Sequence, residues 1–181
     1  MKFILQWLSH GIGLALALVL GVLAMQAPAF TREYAGALQQ VAAGLRRDVD
    51  NRESTARRYY GIDTLRDDAF LKALAAREPS NAEALEESIT RARDLNAAYE
   101  AITQSTPLLR PIIALRNASD DPGGSKTAIW RVTLRNYAVQ LEFTPAAAIY
   151  GFAGLMLGSL LAEALRAIVR ATTSQKLRLS D

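Results

Sequence analysis

Two long runs without a charged side chain bracket everything else in this chain. Residues 3–31 contain no Asp, Glu, Lys or Arg, and neither do residues 143–162. A hydrocarbon core of roughly 30 Å needs about 20 helical residues to cross it. A soluble helix of that length would show a polar stripe, and Phe143–Ala162 shows none. In lipid each backbone N–H must bond within its own segment, which makes such a run helical. The pattern predicts an all-α membrane protein, with transmembrane helices over 1–25 and 143–165 flanking an extramembrane helical hairpin domain over 26–142. Residues 166–181 are expected to form a basic cytoplasmic tail.

The 111 residues between the runs, 32–142, hold 16 Lys/Arg and 16 Asp/Glu, so the net charge of +3 comes from the ends. A pI near 9.4 therefore reflects no basic patch interleaved with aromatics, and no nucleic-acid partner is expected. Membrane lipid is the expected partner of the surplus cations, with Arg166 and Arg170 placed at an anionic bilayer surface. The chain has no cysteine. That excludes a disulfide framework, a thiolate nucleophile and cysteine-based metal sites.

The first run has a second reading as a secretory leader, with Lys2 as its positive end and Ala27-Pro28-Ala29 as a cleavage site. Its uncharged apolar stretch, Phe3–Met25, is longer than the ~7–15 residues of a leader core, which favours a retained anchor. Lys2 precedes the first span, and Arg166, Arg170, Lys176 and Arg178 follow the second. The positive-inside rule then places both termini in the cytoplasm and the central domain across the membrane. Arg32, Arg131 and Arg135 argue weakly for the opposite orientation.

Lipid gives helices little hydrophobic reason to associate, so small residues mark the faces that can approach closely. In the first span His10, Gly13, Ala17, Gly21 and Ala24 recur at intervals of three and four. Ala147, Gly151, Gly154, Gly158 and Ala162 do the same in the second. Intramolecular pairing and homo-oligomerisation both use such stripes. An antiparallel pair with Met25 level with Ala146 puts His10 level with Leu161. Gln6, His10, Ser159 and Glu163 then form a polar cluster, which is expected to set the register of the helices. Glu163 has two partners within reach, Arg166 and His10.

In the middle section Tyr34, Leu38, Val41, Leu45, Val49, Ala56 and Tyr59 follow helical spacing, interrupted by Arg52. Helices are expected at about 31–60, 64–77, 81–105 and 126–137. Gly61 breaks the first, and Thr64 with Asp67 opens the second. Ser80-Asn81-Ala82-Glu83 reads as a capping box for the third, whose apolar side is Leu85, Ile89, Ala92, Leu95, Tyr99 and Ile102. Glu53/Arg57, Asp68/Lys72 and Glu87/Arg91 are spaced as exposed ion pairs. Asp120-Asp121-Pro122-Gly123-Gly124-Ser125 is a loop by composition. Adjacent acids point apart on a helix, so no metal site is assigned to them, and no catalytic or cofactor-binding residue is recognised.

The order of features resembles a known family. Gln26-Ala27-Pro28-Ala29-Phe30 after the first span, the Tyr59-Tyr60-Gly61 turn, and Thr144-Pro145 leading into Tyr150-Gly151-Phe152-Ala153-Gly154 are similar to domain-of-unknown-function family 2937, a family of bacterial membrane proteins. The resemblance implies two spans in a bacterial inner membrane, where the orientation argued above makes the central domain periplasmic, and it carries over no activity and no functional residue. The leading expectation is a non-enzymatic accessory or scaffold subunit that binds a protein partner or its own copies. Two alternatives stay open: a homo-oligomeric transport or conduction component, and a membrane-bound hydrolase without a recognisable motif.

Overall fold

Proline stands in the first turn of four helices of this chain, at Pro28, Pro79, Pro111 and Pro145. The computed structural model describes residues 2–64, 67–140 and 143–178, with side chains from 7 to 169 apart from 9, 65–67, 141 and 142. Every regular element among the described residues is an α-helix: α1 (Lys2–Met25), α2 (Ala27–Tyr60), α3 (Asp67–Ala75), α4 (Pro79–Thr103), α5 (Arg110–Ser119), α6 (Ser125–Asn136) and α7 (Pro145–Arg178). Pro28 has no N–H to offer the carbonyl four residues back, so α1 ends at Met25 and a new helix opens at Ala27. The expected start at residue 31 was therefore late.

The chain divides into two compact units, one made of the first 30 residues with 138–181 and the other of 31–137. In the first, α1 and α7 pack along their length. The Thr144 hydroxyl caps α7, accepting the Ala147 N–H at 3.1 Å, while its carbonyl accepts the Ala148 N–H at 3.0 Å. α7 then runs unbroken to Arg178. The basic residues expected to follow the second span from 166 onward lie on this same helix as far as Arg178, since nothing between Glu163 and Arg178 breaks it.

In the second unit, Tyr34, Leu38, Ala42, Val49 and Ala56 of α2 are buried. Val41 and Tyr59, expected on that stripe, are 40% and 81% exposed. The inward face steps 34, 38, 42, 45, 49, which selects Ala42, and its continuation brings in Tyr60 in place of Tyr59. On α4 the buried set is Ala82, Leu85, Ile89, Ala92, Leu95, Ala98 and Ile102. Val49, Ala56, Ile62, Phe70, Leu74, Ala82, Leu85 and Ile89 form one core contributed by α2, the connection after it, α3 and α4.

The expected capping box does not cap α4. Its N-cap is Glu78, with Pro79 in the first turn and no side-chain cap bond. Proline's fixed φ suits that position, and it moves the start two residues ahead of Asn81. α3 begins at Asp67, three residues after the expected Thr64. Ion pairs form at Glu53–Arg57 and Glu87–Arg91 (2.9 Å for the latter). No ion pair joins Asp68 to Lys72 among the described residues; Asp48–Arg52 at 2.8 Å is a pair the spacing argument passed over. α5 was not expected at all. It opens on Arg110-Pro111 and buries only Ala114 and Ala118, so it lacks the large apolar stripe by which helices are recognised. α6 ends at Asn136, and Tyr137 is already extended (φ −66°, ψ 120°).

Candidate functional site

The face between α1 and α7 is built from the small residues. A Cβ placed on Gly158 would lie 2.5 Å from the Ala17 Cα, and one on Gly154 would lie 2.5 Å from the Leu20 carbonyl oxygen and 3.0 Å from the Gly21 Cα. On Gly21 it would meet the Leu155 side chain at 2.8 Å and the Gly151 carbonyl at 3.3 Å, and Gly151 itself lies against the Met25 side chain. The opposed positions run in opposite directions along the two helices, so the pair is antiparallel.

The register differs from the expected one by about one turn. Ala17 meets Gly158 and Gly21 meets Gly154, whereas Met25 level with Ala146 would have set Gly21 against Tyr150. The observed register opposes small residues at each of these rungs, which permits the closest backbone approach. A tyrosine opposite Gly21 would hold the helices apart.

The slip changes the polar cluster. His10, Ser159 and Glu163 line one crevice of about 620 Å³, together with Trp7, Gly13, Ala17, Ala162 and Arg166. The side chain of Gln6 lies outside the described residues, as does that of Arg170. Ser159 donates to the Leu155 carbonyl at 2.9 Å, within its own helix. Glu163 pairs with Arg166 at 2.6 Å. Of its two possible partners, Arg166 is the one to which it bonds.

Arg166 itself departs from expectation. It was placed at the lipid surface, yet its side chain is only 17% exposed, and its guanidinium occupies the space that any side chain at Gly13 would need. Helical side chains lean toward the N-terminus, so Arg166 covers the turn below it, level with Ala162 and Gly13. Its Nε is buried and has no hydrogen-bond partner among the described residues. Glu163 offsets part of that desolvation through the Nη1 bond. Gly13 is thus less a helix-contact residue than a seat for a cation. Sequence spacing shows that position 13 is small, but not which side chain fills the gap.

A second constellation lies at the elbow joining α2, α3 and α4. Arg57 sits 4.7 Å over the Phe70 ring, bonds Glu53 at 3.0 Å through Nε, and donates to the Thr64 carbonyl. The Tyr60 hydroxyl donates to Glu78, which also accepts from Asn81 at 2.8 Å. These bonds favour the carboxylate, with the Tyr60 bond the largest cause, and hold Glu78 below the usual carboxylate range while raising the Tyr60 phenol. Arg77 lies 5.4 Å over the Tyr60 ring and donates to its carbonyl. All the charged groups have assigned structural partners, so this network locks a turn.

The loop after α5 also has its acids assigned. Asp121 accepts the Thr127 N–H at 2.7 Å, the Thr127 hydroxyl donates to the Ala118 carbonyl at 2.8 Å, and Gly124 supplies the left-handed turn (φ 69°). Asp121 faces Glu83, Glu86, Glu87 and Asp94 across a groove of about 490 Å³ that also carries Arg91 and Lys126. Among the described residues no group of three His, Asp or Glu side chains could hold a metal ion. Buried Tyr34 stacks edge-on against Trp130 at 5.0 Å, and its phenol is pushed up to about 12 by burial, with the Asp121 carboxylate adding to the effect.

Fold and site together define an all-helical protein with two helices long and apolar enough to cross a membrane, by length and composition, held together by a small-residue face. The chain belongs to the family described as "Protein of unknown function (DUF2937)", whose model matches residues 8–175. No curated protein and no solved structure matches it.

Proposed function

We propose that this protein is a non-enzymatic accessory or scaffold subunit of the bacterial inner membrane, anchored by α1 and α7 as an antiparallel transmembrane pair and engaging a protein partner through its helical domain. The observation that carries the reading is the distribution of apolar surface on the pair. Small residues occupy the contact, while Ile12, Leu18, Phe152, Leu157 and Leu160 are 52–65% exposed. Two helices alone cannot cover such faces, and contiguous apolar surface of this extent requires lipid or protein around it.

Lys2 at the start of α1 and Arg166 in the second half of α7 favour cytoplasmic termini and a periplasmic helical domain. In that domain α2 and α4 are read as an antiparallel hairpin, which the shared core of Val49, Ala56, Ala82, Leu85 and Ile89 supports. The reactive side chains are dispersed: the single histidine is on α1, while Asp121, Glu78 and Glu53 are bound into a loop, an elbow and an ion pair. That dispersion favours a binding role over catalysis.

Extraction of the full chain in mild detergent followed by native mass measurement tests the reading. A stoichiometric complex with a larger protein is the expected result. A homo-oligomer alone would overturn it in favour of a conduction role, and release of the protein by alkaline carbonate without detergent would overturn the membrane anchor.

A further inference from the structure

On α5 of the helical domain the polarity is inverted. α5 turns Ala114 and Ala118 inward, at 0% and 7% exposure, and turns its large residues out: Leu109, Ile112 and Leu115 are 50%, 59% and 56% exposed. At 100° per residue Ile112, Leu115 and Arg116, with Leu109 at the N-cap, fall on one outward arc. A soluble surface normally scatters such residues singly.

Charge identifies what covers the arc. The central section is neutral as a whole, but its charges are segregated. Residues 32–100 carry 11 Lys/Arg against 13 Asp/Glu, whereas residues 101–142 carry five against three. Neither α5 nor α6 contains an acid, and together they hold Arg110, Arg116, Lys126, Arg131 and Arg135. Only eight residues, 137–144, connect α6 to α7. At ~3.3–3.6 Å per residue such a connection spans at most about 30 Å when fully extended. An apolar helical face flanked by arginines and free of acids has the composition of an interfacial membrane helix.

We infer that the outward face of α5, Leu109–Arg116, lies on an anionic phospholipid surface and docks the helical domain against the bilayer. The inference rests on the membrane reading of α1 and α7 proposed above. The leucines and Ile112 enter the headgroup boundary, while Arg116 remains at the level of the lipid phosphates, as snorkelling cations do.

The absence of cysteine makes a labelling test direct. The full chain is reconstituted in phosphatidylglycerol-containing vesicles as single-cysteine variants Ile112→Cys, Leu115→Cys, Leu157→Cys and Glu86→Cys. Each carries an environment-sensitive fluorophore, read against lipids spin-labelled near the headgroup or deep in the chain. Positions 112 and 115 are expected to shift to the blue and to lose intensity with the headgroup-proximal quencher, position 157 with the deep quencher, and position 86 with neither. Quenching at 157 without quenching at 112 and 115 would overturn the docked helix and leave α5 as a protein-binding face. No quenching at 157 would overturn the membrane reading itself. Equal quenching at 86 and 112 would also overturn the proposal, because the contact would then not belong to the α5 face.

Discussion

Replacing Gly154 by alanine tests the packing of α1 on α7 most directly. The added methyl would sit 2.5 Å from the Leu20 carbonyl oxygen, 2.7 Å from the Ala24 Cβ and 3.0 Å from the Gly21 Cα. Ordinary contacts of a Cβ lie at 3.4–4 Å, so the helices have to separate by roughly 1 Å, which costs about 1–3 kcal/mol as overpacking does elsewhere. Two of the three obstructing atoms are backbone, so no rotamer change relieves the clash. Alanine also gains ~1 kcal/mol of helix propensity over glycine, which masks part of the effect. Gly11→Ala supplies the correction, because a Cβ there meets nothing within 4 Å. The difference between the two variants isolates the clash, and ~1–3 kcal/mol corresponds to about a 5- to 150-fold shift in the pairing equilibrium. Dyes on Ile12→Cys and Leu161→Cys, both on exposed positions, report the helix separation by energy transfer as SDS is titrated into mild-detergent micelles. Gly154→Ala is expected to part the helices at lower SDS than Gly11→Ala. Equal midpoints would refute the close backbone approach. Gly158→Ala should behave like Gly154→Ala, since its obstruction is the Ala17 backbone.

Three other outcomes follow from the structure. Tyr34 should ionise late, near pH 12, visible as a delayed step in phenolate absorbance. Its folded pKa lies above the unfolded value near 10, so its stabilising contribution is complete below pH 10 and declines as pH rises from 10 to 12. Tyr60→Phe should raise the titration of Glu78 back toward the ordinary carboxylate range, as followed by carboxyl NMR shifts. Because the folded pKa of Glu78 is depressed, the stabilisation it provides is present at neutral pH and is lost as pH falls through the carboxylate range. Thr144→Ala should cost about 1 kcal/mol at the start of α7, read as faster hydrogen exchange at the Ala147 amide, which donates to that hydroxyl.

The helix inventory was largely legible because α2, α4 and α7 each carry a periodic or uninterrupted apolar pattern over many turns, and such patterns average out local exceptions. α5 was not legible. Its inward face consists of Ala114 and Ala118, which carry no strong apolar signal, and its large side chains point away from the core. Local start signals misled where two competed. Ser80 and Glu83 compose a good capping box, but Pro79 one residue earlier was already compatible with a first helical turn, and Glu78 became the N-cap. The elbow was invisible for another reason. Tyr60 and Glu78 are 18 residues apart, Arg57 and Phe70 are 13 apart, and no spacing rule relates residues across a turn of that length.

By itself, the sequence determined the two uncharged runs and hence the helical class, the small-residue stripes on α1 and α7, the end of α2 at Gly61 and the start of α7 at Thr144-Pro145. These are properties of one segment at a time, governed by periodicity, backbone donors and side-chain size. Only the tertiary structure decided the register of α1 against α7, because both stripes repeat every three or four residues and every one-turn shift satisfies the same pattern. The observed shift depends on rungs that must be compared in pairs, Gly21 with Gly154 and Ala17 with Gly158. It also decided the position of Arg166, whose guanidinium fills the space left by Gly13 on the other helix. A charge at the end of an apolar run reads as a surface group until the neighbouring helix is seen to lack the side chain that would have kept it there.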